Sequence, residues 1–225
     1  MNGVIMKYNI VNISFKTDKH VSANASKVRG FLGNEFSEYI ILHNHYGNDN
    51  FLYSYPLVQY NVFDDTIHIL GIDEGAKILK HIAPEINFFD LDKKYHVREK
   101  TIHEKEVDIK PSSEEKHYKF ITPWLGLNTK NYPKYLSLQT FKEKKELINK
   151  ILVGNILSMS KGLGIIVNKR LYAKTHLEEK IVAYKSVQMN AFTGEFKIPY
   201  DIPDYFGIGK GVSQGFGCVK QINEK

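Results

Sequence analysis

From Tyr8 to Phe15, Ile10, Asn12 and Ser14 face one way and Val11, Ile13 and Phe15 the other, a period-two pattern that predicts a strand. The period then changes. In SANASKVRGFLGNEFSEYIIL the apolar residues Val28, Phe31, Leu32, Phe36, Tyr39 and Ile40 recur at helical spacing, with Ser22, Asn24 or Ser26 available as N-cap. Gly30 and Gly33 each weaken that helix by about 1 kcal/mol relative to alanine, which points to another group approaching closely. FLYSYPLVQYNV and TIHILGI read as two strands around the turn Asp64–Asp65, and EGAKILKHI as a short helix. FFDLDKKYHVREKTIHEKEVDI follows as a long, charged, exposed strand or hairpin.

The order β-α-β-β-α-β is the split unit of a ferredoxin-like domain. The composition shifts at PSSEEK (111–116), which reads as a linker, and HYKFITPWLGL resumes as a strand with Pro123 at an edge or bend. The longest helix is expected from about Thr140 to Ser160. Thr140 and Glu143 form a T-x-x-E capping box, and Phe141, Leu147, Ile148, Ile151, Leu152 and Ile156 form its buried stripe. Lys142, Lys144 and Lys145 crowd its first turns, where the helix dipole disfavours cations. Strands are expected around IIVNKRLYA and SVQMNAFTGEF, and a glycine-rich loop feeds a last short strand. The fold class is α+β: tandem related domains over 1–115 and 116–225, with no short sequence repeat.

Composition narrows the function. With 42% hydrophobic and 12% aromatic residues the 225-residue chain can bury a core. No run approaches the roughly 18 apolar residues of a membrane span. The N-terminal residues show no secretion signal, so a cytoplasmic location is expected. The single cysteine, Cys218, excludes an intrachain disulfide and a multi-cysteine zinc site. Charge is uneven. Residues 1–118 carry 14 basic and 17 acidic side chains, a net of −3; residues 119–225 carry 17 and 8, a net of +9. Such asymmetry points to a polyanion bound mainly by the second half, with a merely lysine-rich surface as the plain alternative.

Two stretches suit chemistry. Five glycines, Gly207, Gly209, Gly211, Gly215 and Gly217, occupy eleven positions around Lys210 and Ser213. Successive exposed N–H groups of such a loop can hold a phosphate. Too few residues follow for a dinucleotide fold, and Lys210 precedes Gly211 where a Walker loop needs Ser or Thr. The alternative is a tight turn before the final strand. His43-Asn44-His45 lies just past the first helix, whose C-terminus favours imidazolium, with Tyr46, Tyr53, Tyr55 and Tyr60 nearby. Histidine moves protons near neutrality without a metal. Metal ligation lacks an evident third ligand, and surface histidines are the plain reading, as for His20, His68, His81, His96, His103, His117 and His176.

Taken together, KVRGFLGNEF, ILHNHYGNDNFLYSYPLVQY, ILGIDEGAKIL, FITPWLGLN, ILVGNILSMSKGLG and IPDYFGIGKGVSQGFG resemble one family along nearly the whole chain. It is the CRISPR-associated endoribonuclease that cuts repeat-spacer precursor RNA, the sixth of the numbered Cas families, in its histidine-containing branch. The resemblance implies two ferredoxin-like, RRM-like domains, the first holding the catalytic histidines and the second binding RNA through the glycine loop. One departure is visible: little room remains for a second helix between Phe196 and Gly207, so the second unit is expected to be incomplete. The implied reaction needs no metal or other cofactor. The RNA 2′-hydroxyl attacks its adjacent 3′-phosphate, leaving a 2′,3′-cyclic phosphate and a 5′-hydroxyl. Carried over by motif, His43 and His45 are the acid/base pair, unassigned between base and acid, with Tyr53 as an orienting or proton-bearing hydroxyl. Lys27, Arg29, Lys161, Lys210 and Ser213 are the phosphate contacts. The implied partner is CRISPR repeat RNA; other Cas effector subunits and a second copy of the chain stay open as partners. A non-cleaving repeat-RNA-binding protein of the same fold is the alternative function, and a metal-dependent nuclease a third.

Overall fold

Strand β1 (Lys7–Thr17) turns Val11, Ile13 and Phe15 to one side, where they join a single core with Val28 and Leu32 of helix α1 (Ala25–Glu35) and with Ala76, Leu79 and Ile82 of α2 (Glu74–Ile82). The computed structural model describes residues 7–43 and 55–222, and the backbone of His45–Tyr46 and Asn50–Phe51. Asn24 is the N-cap of α1, its side chain accepting from the Lys27 N–H at 3.1 Å. The helix ends sooner than its spacing suggests. Phe36 leaves the helical region at φ −118°, ψ 54°, and Ile40–Leu42 forms a separate single 3₁₀ turn. Phe36 and Leu42 still reach the core, so burial alone does not distinguish one long helix from a helix and a turn.

Strands β2 (His45–Tyr46) and β3 (Asn50–Phe51) pair antiparallel, His45 opposite Phe51. Next come β4 (Val58–Phe63) and β5 (Thr66–Ile72), whose hairpin turns at Asp64 and Asp65, both at positive φ. The charged segment is a hairpin of β6 (Phe88–Asp90) and β7 (Lys94–Asp108). The sheet order is β4-β5-β1-β7-β6, the ferredoxin-like arrangement with one added edge strand.

The second unit begins at once, because only Ile109 separates β7 from β8 (Lys110–Trp124). The segment 111–116 is therefore strand, not linker. Its polarity belongs to a bulge: on β10 (Val187–Asp201) Ile198 faces Lys116 and Tyr200 faces Pro111, so β8 carries extra residues between them. Pro111 sits where a missing N–H does least harm.

A short helix that the pattern did not announce, α3 (Asn131–Ser137), buries Tyr135 ahead of α4 (Phe141–Gly162). The capping box of α4 is complete. Thr140 Oγ1 accepts from the Glu143 N–H at 3.2 Å, and a Glu143 carboxylate oxygen accepts from the Thr140 N–H at 3.1 Å. Thr140→Ala should lower stability by about 1 kcal/mol, read as a lower urea midpoint at unchanged m-value. After α4 the expected strand over IIVNKRLYA is extended chain without a ladder, and pairing starts only at β9 (Lys174–Tyr184), with Lys174 opposite Lys197. Alternation is present, since Leu171, Ala173 and Thr175 are buried, but no ladder to β10 forms before Lys174.

β11 (Val219–Gln221) completes an antiparallel sheet of order β11-β8-β10-β9. That is again the ferredoxin-like order, although among the described residues no α-helix joins β10 to β11. The glycine-rich loop, with a 3₁₀ turn at Val212–Gln214, takes the helix's place. Among the described residues no helix is long and apolar enough to cross a membrane.

Candidate functional site

His43 follows the 3₁₀ turn, half-buried, and its ring lies against α1 at Gly33. A Cβ on Gly33 would come within 2.9 Å of His43 Nδ1 and 3.1 Å of its Cβ. The close approach expected at this helix is therefore the histidine itself. At Gly30 nothing stands within 4 Å of the added carbon, because that residue faces a cleft. The cleft, about 500 Å³, is lined by Ser26, Arg29, Gly30, Gly33, Asn34, Ser37 and His43. Small and polar residues at spacings of three and four thus give α1 one open face carrying a single guanidinium.

Two side-chain hydrogen bonds hold the backbone of Leu42 and His43. Arg29 Nη2 donates to the His43 carbonyl, and the Tyr60 hydroxyl donates to the Leu42 carbonyl at 2.9 Å. Tyr60 is fully buried. Burial pushes its phenol far above the ordinary range, and Arg29 pulls the other way less strongly, so it stays a neutral donor. The dipole argument for His43 weakens here. A three-residue turn precedes it instead of a long helix. His45 is on β2, Tyr53 lies outside the described residues, and Lys27 is ion-paired with Asp92.

In the glycine-rich loop, Val212–Gly215 groups with the first unit and the flanking residues with the second. Gly207 bridges Cys218 and Lys210 bridges Leu125. The N–H groups of Ile208, Lys210, Phe216 and Gly217 donate to the carbonyls of Gly217, Leu125, Gly211 and Pro123, and that of Gly215 to Val212. Two of the five glycine N–H groups, those of Gly215 and Gly217, are therefore bonded within the protein. Four of the glycines pack closely against their neighbours. Gly209 lies against the Trp124 indole and Asn155, Gly211 against Tyr184 and Phe216, and Gly215 against Ala25 and the Tyr60 carbonyl. Gly217, at φ +69°, leaves 2.0 Å between an added Cβ and the Ile208 carbonyl oxygen.

Lys210 Nζ stands 5.0 Å from the centre of the Tyr184 ring, a cation over an aromatic face. Ser213 is in the 3₁₀ turn, and Lys161 is exposed in the last turn of α4. Sequence reasoning noted Tyr60 among the tyrosines near the histidines without giving it a role, and overlooked Trp124 and Asn155. Nothing in the sequence separates Tyr60 from Tyr46, Tyr53 and Tyr55, whereas the stripe Ser26, Gly30, Gly33 and Ser37 was a readable signal for the cleft. Cys218 has no chemistry to offer, since burial drives its thiol pKa well up.

Both units thus have the ferredoxin-like strand order, the second without its second helix among the described residues. A crystal structure of Cas6b is similar at a TM-score of 0.89 and 32% identity, covering 96% of this chain and 100% of that one. A second, of the CRISPR RNA processing endoribonuclease Cas6b, gives 0.77 and 31% over 96% and 100%. An uncharacterized protein of Methanocaldococcus jannaschii is 50% identical over 108 residues, 48% of this chain and 73% of that protein. The family models of the Cas6b N-terminal and C-terminal domains match residues 6–108 and 110–222. The chain belongs to the Cas6b family.

Proposed function

We propose that this chain is a metal-independent endoribonuclease that cuts CRISPR repeat RNA in precursor transcripts to give mature guide RNAs. The observation that carries the reading is His43, clamped through its carbonyl by Arg29 and seated on Gly33 at the wall of a polar cleft. Cleavage forms the O2′–P bond and breaks P–O5′. One histidine of the His43/His45 pair takes the 2′ proton and the other protonates the departing 5′ oxygen, each worth about 10²–10⁴-fold. Tyr53 orients the reacting groups. Lys27, Arg29, Lys161, Lys210 and Ser213 hold phosphates, and cations near the scissile phosphate stabilise the phosphorane charge. The first domain supplies the histidines and the second most of the RNA affinity. The work is cytoplasmic, with repeat RNA as the partner. Other Cas effector subunits and a second copy of the chain are partners to look for in a pull-down on repeat RNA.

Incubating the protein with RNA of the adjoining repeat array in excess chelator tests this. Cutting to a 2′,3′-cyclic phosphate is expected, and a 2′-deoxy substitution at the scissile nucleotide should block it. Loss of activity in chelator, or cutting of the 2′-deoxy RNA, overturns the mechanism.

Affinity should fall steeply with salt. About seven phosphate contacts to a single strand give a log–log slope near −5, and Lys210→Ala should flatten it by roughly one. A salt-independent affinity would remove the electrostatic argument.

A further inference from the structure

Where α3 and the first turns of α4 meet β9 and β10, a second cleft of about 430 Å³ opens in the second unit. Tyr135, Phe141, Lys144, Lys145, Glu179 and Phe192 line it. Phe192 and Tyr135 form its buried aromatic floor, edge to face at 5.9 Å, and Lys144 Nζ stands 5.1 Å from the Tyr135 ring. On the opposite side Phe141 is 77% exposed. The reading of Phe141 as part of the buried stripe of α4 is thereby corrected: as first residue of the helix it points outside the stripe.

Two features here run against the local interest of the fold. An exposed phenylalanine forgoes most of the benefit of burying its ring. Lysines at 142, 144 and 145 occupy helix turns whose dipole favours anions. A ligand with a flat apolar part and an attached anion makes use of both at once. An apolar peptide side chain would leave the lysines without a counter-charge, and a lone phosphate would leave the rings bare. A nucleotide has both parts, and unpaired bases stack on aromatic side chains. The acidic wall sets the direction. Glu179 accepts from the Tyr135 hydroxyl with one oxygen and from Asn190 at 3.1 Å with the other, and its charge turns a phosphate away toward Lys144 and Lys145.

We propose that this cleft takes one unpaired nucleotide of the bound RNA, its base on Phe141 and its phosphate at Lys144 and Lys145. The inference rests on the RNA-processing reading above and adds a contact to it.

The test is the affinity of fluorescein-labelled full repeat RNA, by anisotropy, for wild type and variants. Phe141→Ala should weaken binding about tenfold, within the usual range for one base–aromatic stack, while Phe141→Trp keeps it. Lys145→Ala should weaken binding and lower the salt slope by about 0.7, whereas Lys150→Ala, further along α4, should do less than either. Because Phe141 is exposed, its loss leaves the core intact, and an unchanged circular dichroism melt checks this. Phe141→Ala binding as tightly as a wild type that binds and cuts the repeat overturns this proposal alone and assigns the cleft to a protein partner. Equal weakening by Phe141→Trp and Phe141→Ala also overturns it, since stacking would then not be the cause. A wild type that binds no repeat RNA overturns both readings.

Discussion

His43→Ala should reduce single-turnover cleavage of repeat RNA by about 10²–10⁴-fold, the range for one acid/base group, with little change in RNA affinity. The geometry explains why affinity should survive. What Arg29 and Tyr60 grip is backbone, the carbonyls of His43 and Leu42, so removing the imidazole leaves the turn anchored. The ring's own seat is Gly33, where no side chain replaces it. Cleavage by the alanine variant at the wild-type rate would remove His43 from the chemistry and return it to an ordinary surface histidine.

Gly217→Val should abolish RNA binding by a different route, through the fold. At φ +69° a β-branched residue is strained, and its Cβ would stand 2.0 Å from the Ile208 carbonyl oxygen, which cannot swing away because it belongs to the backbone. The cost of strain and clash is about 3 kcal/mol or more. Neighbouring bonds go with it, since the Gly217 N–H donates to the Pro123 carbonyl and the Gly217 carbonyl accepts from Ile208. The expected result is a large drop in melting temperature together with lost binding. Lost binding at an unchanged melting temperature would show instead that the glycine meets RNA directly.

Much of the first unit was legible because its signals are local. TIHILGI and EGAKILKHI match β5 and α2 residue for residue, and the capping box fixed the start of α4. Where reading failed, the deciding information was distant. Residues 111–116 look like a linker until β10 is laid beside them, and residues 165–173 look like a strand although their ladder to β10 begins only at Lys174. The same holds at the site. That Gly33 makes room for something was visible in the helix, but that the guest is His43, with Arg29 behind it, depends on how the chain turns after Glu35. In the loop, glycine suggested exposed N–H groups. Partners nearly a hundred residues earlier, Pro123 and Leu125, had claimed two of them.

The replacement of a helix by the loop between β10 and β11 also has a consequence for the order of assembly. A helix in that position would draw its backbone bonds from its own neighbours, whereas this loop, beside its local bonds, depends on the carbonyls of Pro123 and Leu125 far back in the sequence. Its frame is the pairing of Val219–Gln221 with Tyr118–Phe120, and the bond from the Ile121 N–H to the Cys218 carbonyl. Contacts so distant in sequence close late. On the ribosome, β8 must therefore wait, one edge unpaired, until residue 221 has emerged. A nascent chain carries His43 long before it carries an ordered glycine loop, and that loop arrives only with the last strand.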